Sequence, residues 1–171
     1  MDTVVISDTN IFIDLYNIDL LDVFFSLPLK IQTTDFVLGE LIDIEQKANI
    51  QKFINIEKLF LKKSTHQEMT KISNFRSYCD NNVSITDCSV WLYAKENKYQ
   101  LFTGDNKLKK SALKSGVIVH GILYIIDLLV EKYKIISQKK GAEKLVLLYK
   151  KNNRLPSEEI KKRIQKWSSS I

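Results

Sequence analysis

Four acids stand where a short apolar run gives way to polar residues. They are Asp8 in VVISDTNIFID, Glu40 in TTDFVLGELID, Asp87 in SITDCSVWLYAK and Asp105 in QLFTGDNK. Carboxylates gathered in one place cannot persist unpaired, because like charges raise each other's pKa and resist burial. Protein cations or a divalent ion must neutralise them. An oxygen-only donor set suits Mg²⁺ or Mn²⁺, which keep several waters. No His–Cys spacing of the zinc kind occurs in the chain. Such an ion held by carboxylates beside basic surface is the composition of a phosphodiester-cleaving site.

Each acid also has a plainer reading. Ser7, Asp8 or Asn10 could cap the helix that follows, since their side-chain oxygens satisfy free helix N–H groups. Asp87 lies three residues after Ser84, a capping-box spacing, and Asp105 could cap a helix starting at Asn106. Glu40 borders the apolar stripe Val37, Leu41, Ile44 and Ala48 on a helical wheel, and Glu45 falls inside it. Position favours Glu40, because Glu45 lies about 7.5 Å further along the helix from the strand end.

The elements that must position these acids alternate. TVVIS (3–7) reads as a strand, followed by helices from about Asn10 to Leu27. KIQTT (30–34) is a second strand leading into a long helix from Asp35 to about Ile54. IEKLFL (56–61) is a third strand, and Ser64 or Thr65 caps a helix running to about Cys79. Ser84 caps the next helix, QLFTG (100–104) is a strand, and NKLKKSALKS is a helix stopped by Gly116. VIVH (117–120) is the last strand. The remainder reads as roughly three helical segments separated by Gly141 and by NNRLP.

Strands alternating with helices argue for a parallel sheet covered on both faces. Right-handed crossovers bring the β-to-α junctions to one edge, and ligands bind outside the carboxyl ends of such strands. Asp8, Glu40 and Asp105 reach that edge by construction. Asp87 reaches it only if its helix starts there, which the pattern alone does not decide.

A length of 171 residues with 44% hydrophobic content fits one globular domain with a real core. Asp2 and the lack of a basic n-region argue against a signal peptide. ILYII, before Asp127, is far too short to cross a bilayer, so the expected setting is the cytoplasm, away from membranes. Cys79 and Cys88 make no disulfide or metal framework and are expected to pack as small buried hydrophobes in a reducing compartment. His66 and His120 are isolated. Trp91 lies in an apolar helix and packs in the core or an interface, while Trp167 either covers the core or stacks on RNA. Residues 131–171 hold 12 Lys and Arg against 4 Asp and Glu, and residues 1–130 hold 14 against 16. A basic tail on an acidic body suits an anionic partner such as nucleic acid or an acidic protein, unless the lysines only solvate helix faces.

The stretches VVISDTNIFID, TTDFVLGELID and SITDCSVWLYAKENKYQLFTGDNKLKKSALKSGV, in this order and spacing, resemble the PIN-domain ribonucleases. The likeness is closest to the VapC-like toxins of type II toxin–antitoxin pairs. It covers most of residues 3–120, and the tail resembles the helical extension of one PIN subgroup. The resemblance implies a three-layer α/β/α sandwich with a central parallel sheet of about five strands. Residues 1–130 would form the catalytic domain, and 131–171 a basic helical extension packed on it. It also implies that the Asp87 helix starts at the active edge. Asp8, Glu40, Asp87 and Asp105 would be the catalytic acids and bind Mg²⁺ or Mn²⁺, Glu40 through a second ion or a water. Asn10 and Thr103 would orient neighbouring carboxylates. Apart from the resemblance, Lys107, Lys110 and Lys114, with Lys109, could guide RNA, unless Lys109 and Lys110 simply face solvent; Lys161, Lys162, Arg163 and Lys166 in the tail could hold RNA or only complete the fold. An antitoxin protein and a homodimer are the implied partners.

Two rivals remain at this stage. A haloacid-dehalogenase-type phosphatase also begins with an acid after its first strand, but needs a second acid two residues on, where this chain has Asn10. A non-catalytic binding module of the same fold would keep the acids for stability alone.

Overall fold

Short runs of Val, Ile, Leu and Phe form strands here because a parallel strand is buried on both faces and reads as nearly continuous apolar sequence. The computed structural model describes residues 3–79 and 83–168. Asp2, on which the leader reading rests, lies outside them. In chain order the elements are β1 (Thr3–Ser7), α1 (Thr9–Asn17), α2 (Leu21–Phe24), β2 (Leu29–Thr34), α3 (Asp35–Glu40) and α4 (Ile44–Asn55). Next come β3 (Leu59–Lys62), α5 (His66–Ser77), α6 (Ile85–Asn97), β4 (Gln100–Phe102), α7 (Asn106–Lys114) and β5 (Val119–His120). α8 (Ile122–Asp127), a π-helical segment Leu128–Lys132, α9 (Gln138–Lys151) and α10 (Ser157–Ser168) complete the chain.

The five strands form one parallel sheet in the order β3-β2-β1-β4-β5. The chain therefore moves outward from β1 to β2 and β3, then returns to the other side of β1 with β4. That reversal puts the topological switch point at the carboxyl ends of β1 and β4, the place where open parallel sheets bind ligands. The register aligns the two ends: Ser7 lies opposite Phe102, and Asp8 N–H donates to the Phe102 carbonyl at 3.0 Å.

Two expectations need correction. The long helix expected from Asp35 to about Ile54 is two helices. Leu41 leaves the helical conformation (φ −69°, ψ 102°) and buries its side chain. Asp43 then restarts the helix by accepting from Gln46 N–H. The stripe Val37, Leu41, Ile44, Ala48 mixed these two helices on one wheel: Ile44 is 84% exposed and Ala48 is exposed, while α4 buries Ile50 and Phe53. Gly141 does not separate segments either. It lies inside α9, whose cap is Ser137, and a Cβ there would meet Val130 Cγ2 at 2.5 Å and the Trp167 ring at 3.2 Å. Gly116, by contrast, does end its helix, with φ +85°.

Two compact units are formed by residues 1–12 with 28–121, and by 13–27 with 122–171. The first unit holds the whole sheet, with Val5, Ile6, Ile31, Leu59, Leu101 and Phe102 buried along it. The second buries Leu15, Ile18, Phe24, Leu129, Leu145, Leu148 and Trp167. Among the described residues, no helix is long and apolar enough to cross a membrane.

Candidate active site

Asp8 is the first residue past β1, and at 1% exposure it is nearly sealed from water. Its carboxylate is held by short-range donors. Thr9 N–H reaches Oδ1 at 2.7 Å, Thr103 Oγ1 reaches Oδ2 at 2.8 Å, and Asn10 Nδ2 reaches Oδ2 at 3.2 Å. Two hydroxyls link this acid to its neighbours. Thr103 Oγ1 also accepts from Asp105 N–H at 3.0 Å, which fixes the loop after β4 against Asp8. Thr9 Oγ1 donates to Glu40 Oε2 at 2.5 Å, which ties the end of α3 to the end of β1.

Asn10 and Thr103, expected to orient carboxylates, both touch Asp8. Thr9 was missed by the sequence reading, although it binds two of the four acids. Its position beside Asp8 was the available signal. Its link to Glu40 spans 31 residues, and nothing in the sequence pattern shows that.

Asp87 and Asp105 do perform the plainer roles. Asp87 Oδ2 accepts from Ser84 N–H at 2.8 Å and Ser84 Oγ accepts from Asp87 N–H at 3.0 Å, a complete capping box on α6. Asp105 Oδ1 accepts from Lys107 N–H and Leu108 N–H at 2.8 and 2.7 Å, capping α7. Capping engages one oxygen of each carboxylate, Asp87 Oδ2 and Asp105 Oδ1.

The four acids nevertheless share one electrostatic environment. Burial pushes Asp8 up to about 7; the bonds from Thr103 and Thr9 oppose the shift, while Asp87 and Glu40 add to it. Asp87 is also raised, by burial first, against the bonds to Ser84, and further by Asp105 and Glu40. Each of the four is therefore felt by at least one other. Among the described residues none forms an ion pair with a Lys or Arg.

The donor chemistry fits a hard divalent cation: all oxygen, like-charged, and partly desolvated. As the side chains stand, no three acidic, imidazole or thiol groups among the described residues converge closely enough to hold an ion. The site is a gathered set of carboxylates, short of a formed coordination sphere.

The basic candidates fall into two groups. On α7, Leu108 and Ala112 are buried, and Lys107, Lys109, Lys110 and Lys114 are exposed, with no ion pair among the described residues. On α10 the cations meet acids: Lys161 with Glu158 at 2.9 Å, Lys162 with Glu159 at 3.0 Å, and Lys166 with Glu131 at 2.7 Å. Arg163 grips both oxygens of Asp127 at 2.8 and 2.7 Å and reaches Glu159 at 3.1 Å. Arg163 is thus held against the fold by acids on two elements and does not simply face solvent. Trp167 is fully buried, its indole N–H donating to Glu131 at 2.9 Å. It is a core residue.

Comparison with known proteins follows this geometry. The family model DUF3368, described as a PIN domain, matches residues 4–169. A solved structure similar to the chain is a PilT N-terminus domain protein from the hyperthermophilic archaeon Sulfolobus solfataricus P2. The two share 12% identity over 75% of this chain and 95% of that one, with a TM-score of 0.49. A comparison with curated proteins gives no match.

Proposed function

We propose a function from one premise: the chain belongs to the PIN-domain family. Its members are generally nucleases and generally depend on divalent metal ions. On that premise this chain is a Mg²⁺- or Mn²⁺-dependent endoribonuclease that hydrolyses RNA phosphodiester bonds. Its toxin role, its antitoxin and its homodimer rest on the resemblance to VapC-like toxins.

One observation carries the reading. Four carboxylates linked by their mutual electrostatic influence follow the strands near the switch point of a parallel sheet, and the deepest, Asp8, has no cationic partner among the described residues. Asp8, Asp87 and Asp105 would hold the ion, with Glu40 through a second ion or a water. Such an ion, when bound, supplies a water of lowered pKa and neutralises charge on the phosphate oxygens. Thr103, Thr9 and Asn10 hold the Asp8 carboxylate in one orientation, and Thr9 carries Glu40 with it. Burial pushes the Asp8 carboxyl up to about 7, and a bound cation would favour its charged form. Exposed Lys107, Lys109, Lys110 and Lys114 follow directly after Asp105 and meet the RNA backbone as point charges.

The capping roles of Asp87 and Asp105 favour a second reading, a non-catalytic module that keeps these acids for its helices. Cleavage of RNA by the purified chain, with Mn²⁺ or with chelator, separates the two. Wild type cuts in Mn²⁺ only, and the near-isosteric Asp8→Asn loses at least about a hundredfold in rate. Equal cutting by the variant would contradict the proposal.

A further inference from the structure

We propose that Cys79 and Cys88 are an oxidative modification site, a thiol pair that closes to a disulfide beside Asp87. The sequence reading had both as inert packing. Cys88 fits that description at 0% exposure, but Cys79 is only half-buried. Their sulfurs lie 3.9 Å apart, Cys88 Sγ directed at Cys79 Sγ. A disulfide needs about 2 Å between sulfurs, so closure asks for an approach of about 2 Å.

The two cysteines play different parts. Cys79 follows α5, where its Sγ donates to the Phe75 carbonyl at 3.2 Å, and it meets solvent. Hydrogen peroxide oxidises this sulfur first: the thiol becomes a sulfenic acid, and one oxygen of the peroxide leaves as water. The Cys88 sulfur then attacks the Cys79 sulfur, its proton leaves with the hydroxyl as a second water, and the S–S bond forms. Two thiols and one peroxide give one disulfide and two waters.

The first turn of α6 is fixed on several sides. Cys88 N–H donates to the Ser84 carbonyl at 3.0 Å. Ser89 shares a 2.8 Å bond with Thr34, and Thr86 and Ser89 are both buried. Cys88 is the direct neighbour of Asp87 in that turn, and Asp87 holds the Ser84 capping box. Closing the pair pulls on the turn that carries the carboxylate. A displacement of about 1 Å at a catalytic group costs on the order of a hundredfold in rate. The oxidised protein is accordingly the slower nuclease, an effect on activity that rests on the function proposed above.

The test uses the full chain, reduced, freed of reductant and treated with peroxide. After alkylation and trypsin, the peptide from Ser77 to Lys95 holds both cysteines. It is expected to lose two hydrogens and take no alkyl group. Two alkylated thiols, or a sulfinic acid at Cys79 beside an alkylated Cys88, would overturn the proposal. Cross-linked wild type should cut RNA at least about tenfold more slowly, recovering in dithiothreitol. Cys79→Ser should cut like reduced wild type, with or without peroxide. The rise in melting temperature on adding Mn²⁺ should also be smaller in the cross-linked protein. Unchanged cleavage or an unchanged Mn²⁺ rise after cross-linking would overturn the effect on the site. If neither redox form cuts RNA, the nuclease reading fails, and the peptide and the melts still decide the thiol pair.

Discussion

At the sheet edge, Asp8 is sealed from water with backbone N–H, hydroxyl and amide donors around it. On α10, Arg163 lays its guanidinium against Asp127 and Glu159. Both are charged groups taken partly or wholly out of water, and they are stabilised by different means. Helix α10 matches its four cations with acids of α8, of the π-helical segment and of α10 itself, which is how charge is held when it serves the fold. The edge buries its acids beside one another, and burial first, then the neighbouring like charges, raise Asp8 and Asp87. Unbalanced like charge at that edge supports the ion site proposed above. The cations of α10 are therefore matched, whereas the α7 lysines have no acid partner among the described residues.

The largest effect that sharpens this contrast is a pH dependence. Asp8 has a carboxyl raised from 3.8 to about 7 on folding, so between those values the folded chain holds a proton that the unfolded chain has released. Stability from this group is full below the unfolded value and is lost as pH rises through about 7. Urea unfolding in chelator at about pH 5 and about pH 8 should show wild type losing roughly 2–3 kcal/mol relative to Asp8→Asn over that interval. Parallel pH profiles for the two proteins would break the comparison.

Removing a balanced charge should have the opposite sign. Arg163→Ala leaves Asp127 half-buried without its bidentate partner and is expected to cost about 2 kcal/mol by urea unfolding. Lys107→Ala, at an exposed position, should stay within about 0.5 kcal/mol.

The smallest expected effect is on RNA binding. Neutralising Lys107, Lys109, Lys110 and Lys114 together should flatten the salt dependence of affinity by about 0.7 in slope per lost phosphate contact. The same treatment of Lys161, Lys162, Arg163 and Lys166 should move the slope less, because their charge is already matched by Glu158, Glu159, Asp127 and Glu131. A larger change from the tail set would reverse the assignment of the two basic regions.

The sequence showed what is local. β1 could be read because a buried parallel strand is a run of apolar residues, and the cap at Ser84 because a capping pair sits three residues apart, while Ser64 and Thr65 stayed open for α5 until the fold assigned Thr65. The break at Leu41 was hidden, since Val37, Leu41 and Ile44 keep a helical spacing through a segment that is not helical. The start of α6 could not be placed by topology. Two helices, α5 and α6, stand between β3 and β4, and a rule for single crossovers does not say where the second begins. Family resemblance supplied that placement, and the field of Asp105 and Glu40 at Asp87 agrees with it. Thr9 with Glu40, and Arg163 with Asp127, pair across 31 and 36 residues. Only the folded chain brings them together.

The claim that the four acids form one divalent-ion site meets its most direct test in thermal melts of wild type and Asp8→Asn, each in chelator and in Mn²⁺. The account predicts that Asp8→Asn melts at or above wild type in chelator, because a buried like charge has been removed. It also predicts that Mn²⁺ raises the melting temperature of wild type, by binding the native state alone, and leaves the variant nearly unmoved. A wild-type melt indifferent to Mn²⁺, with Asp8→Asn less stable in chelator, would contradict it and leave the acids as structural groups only.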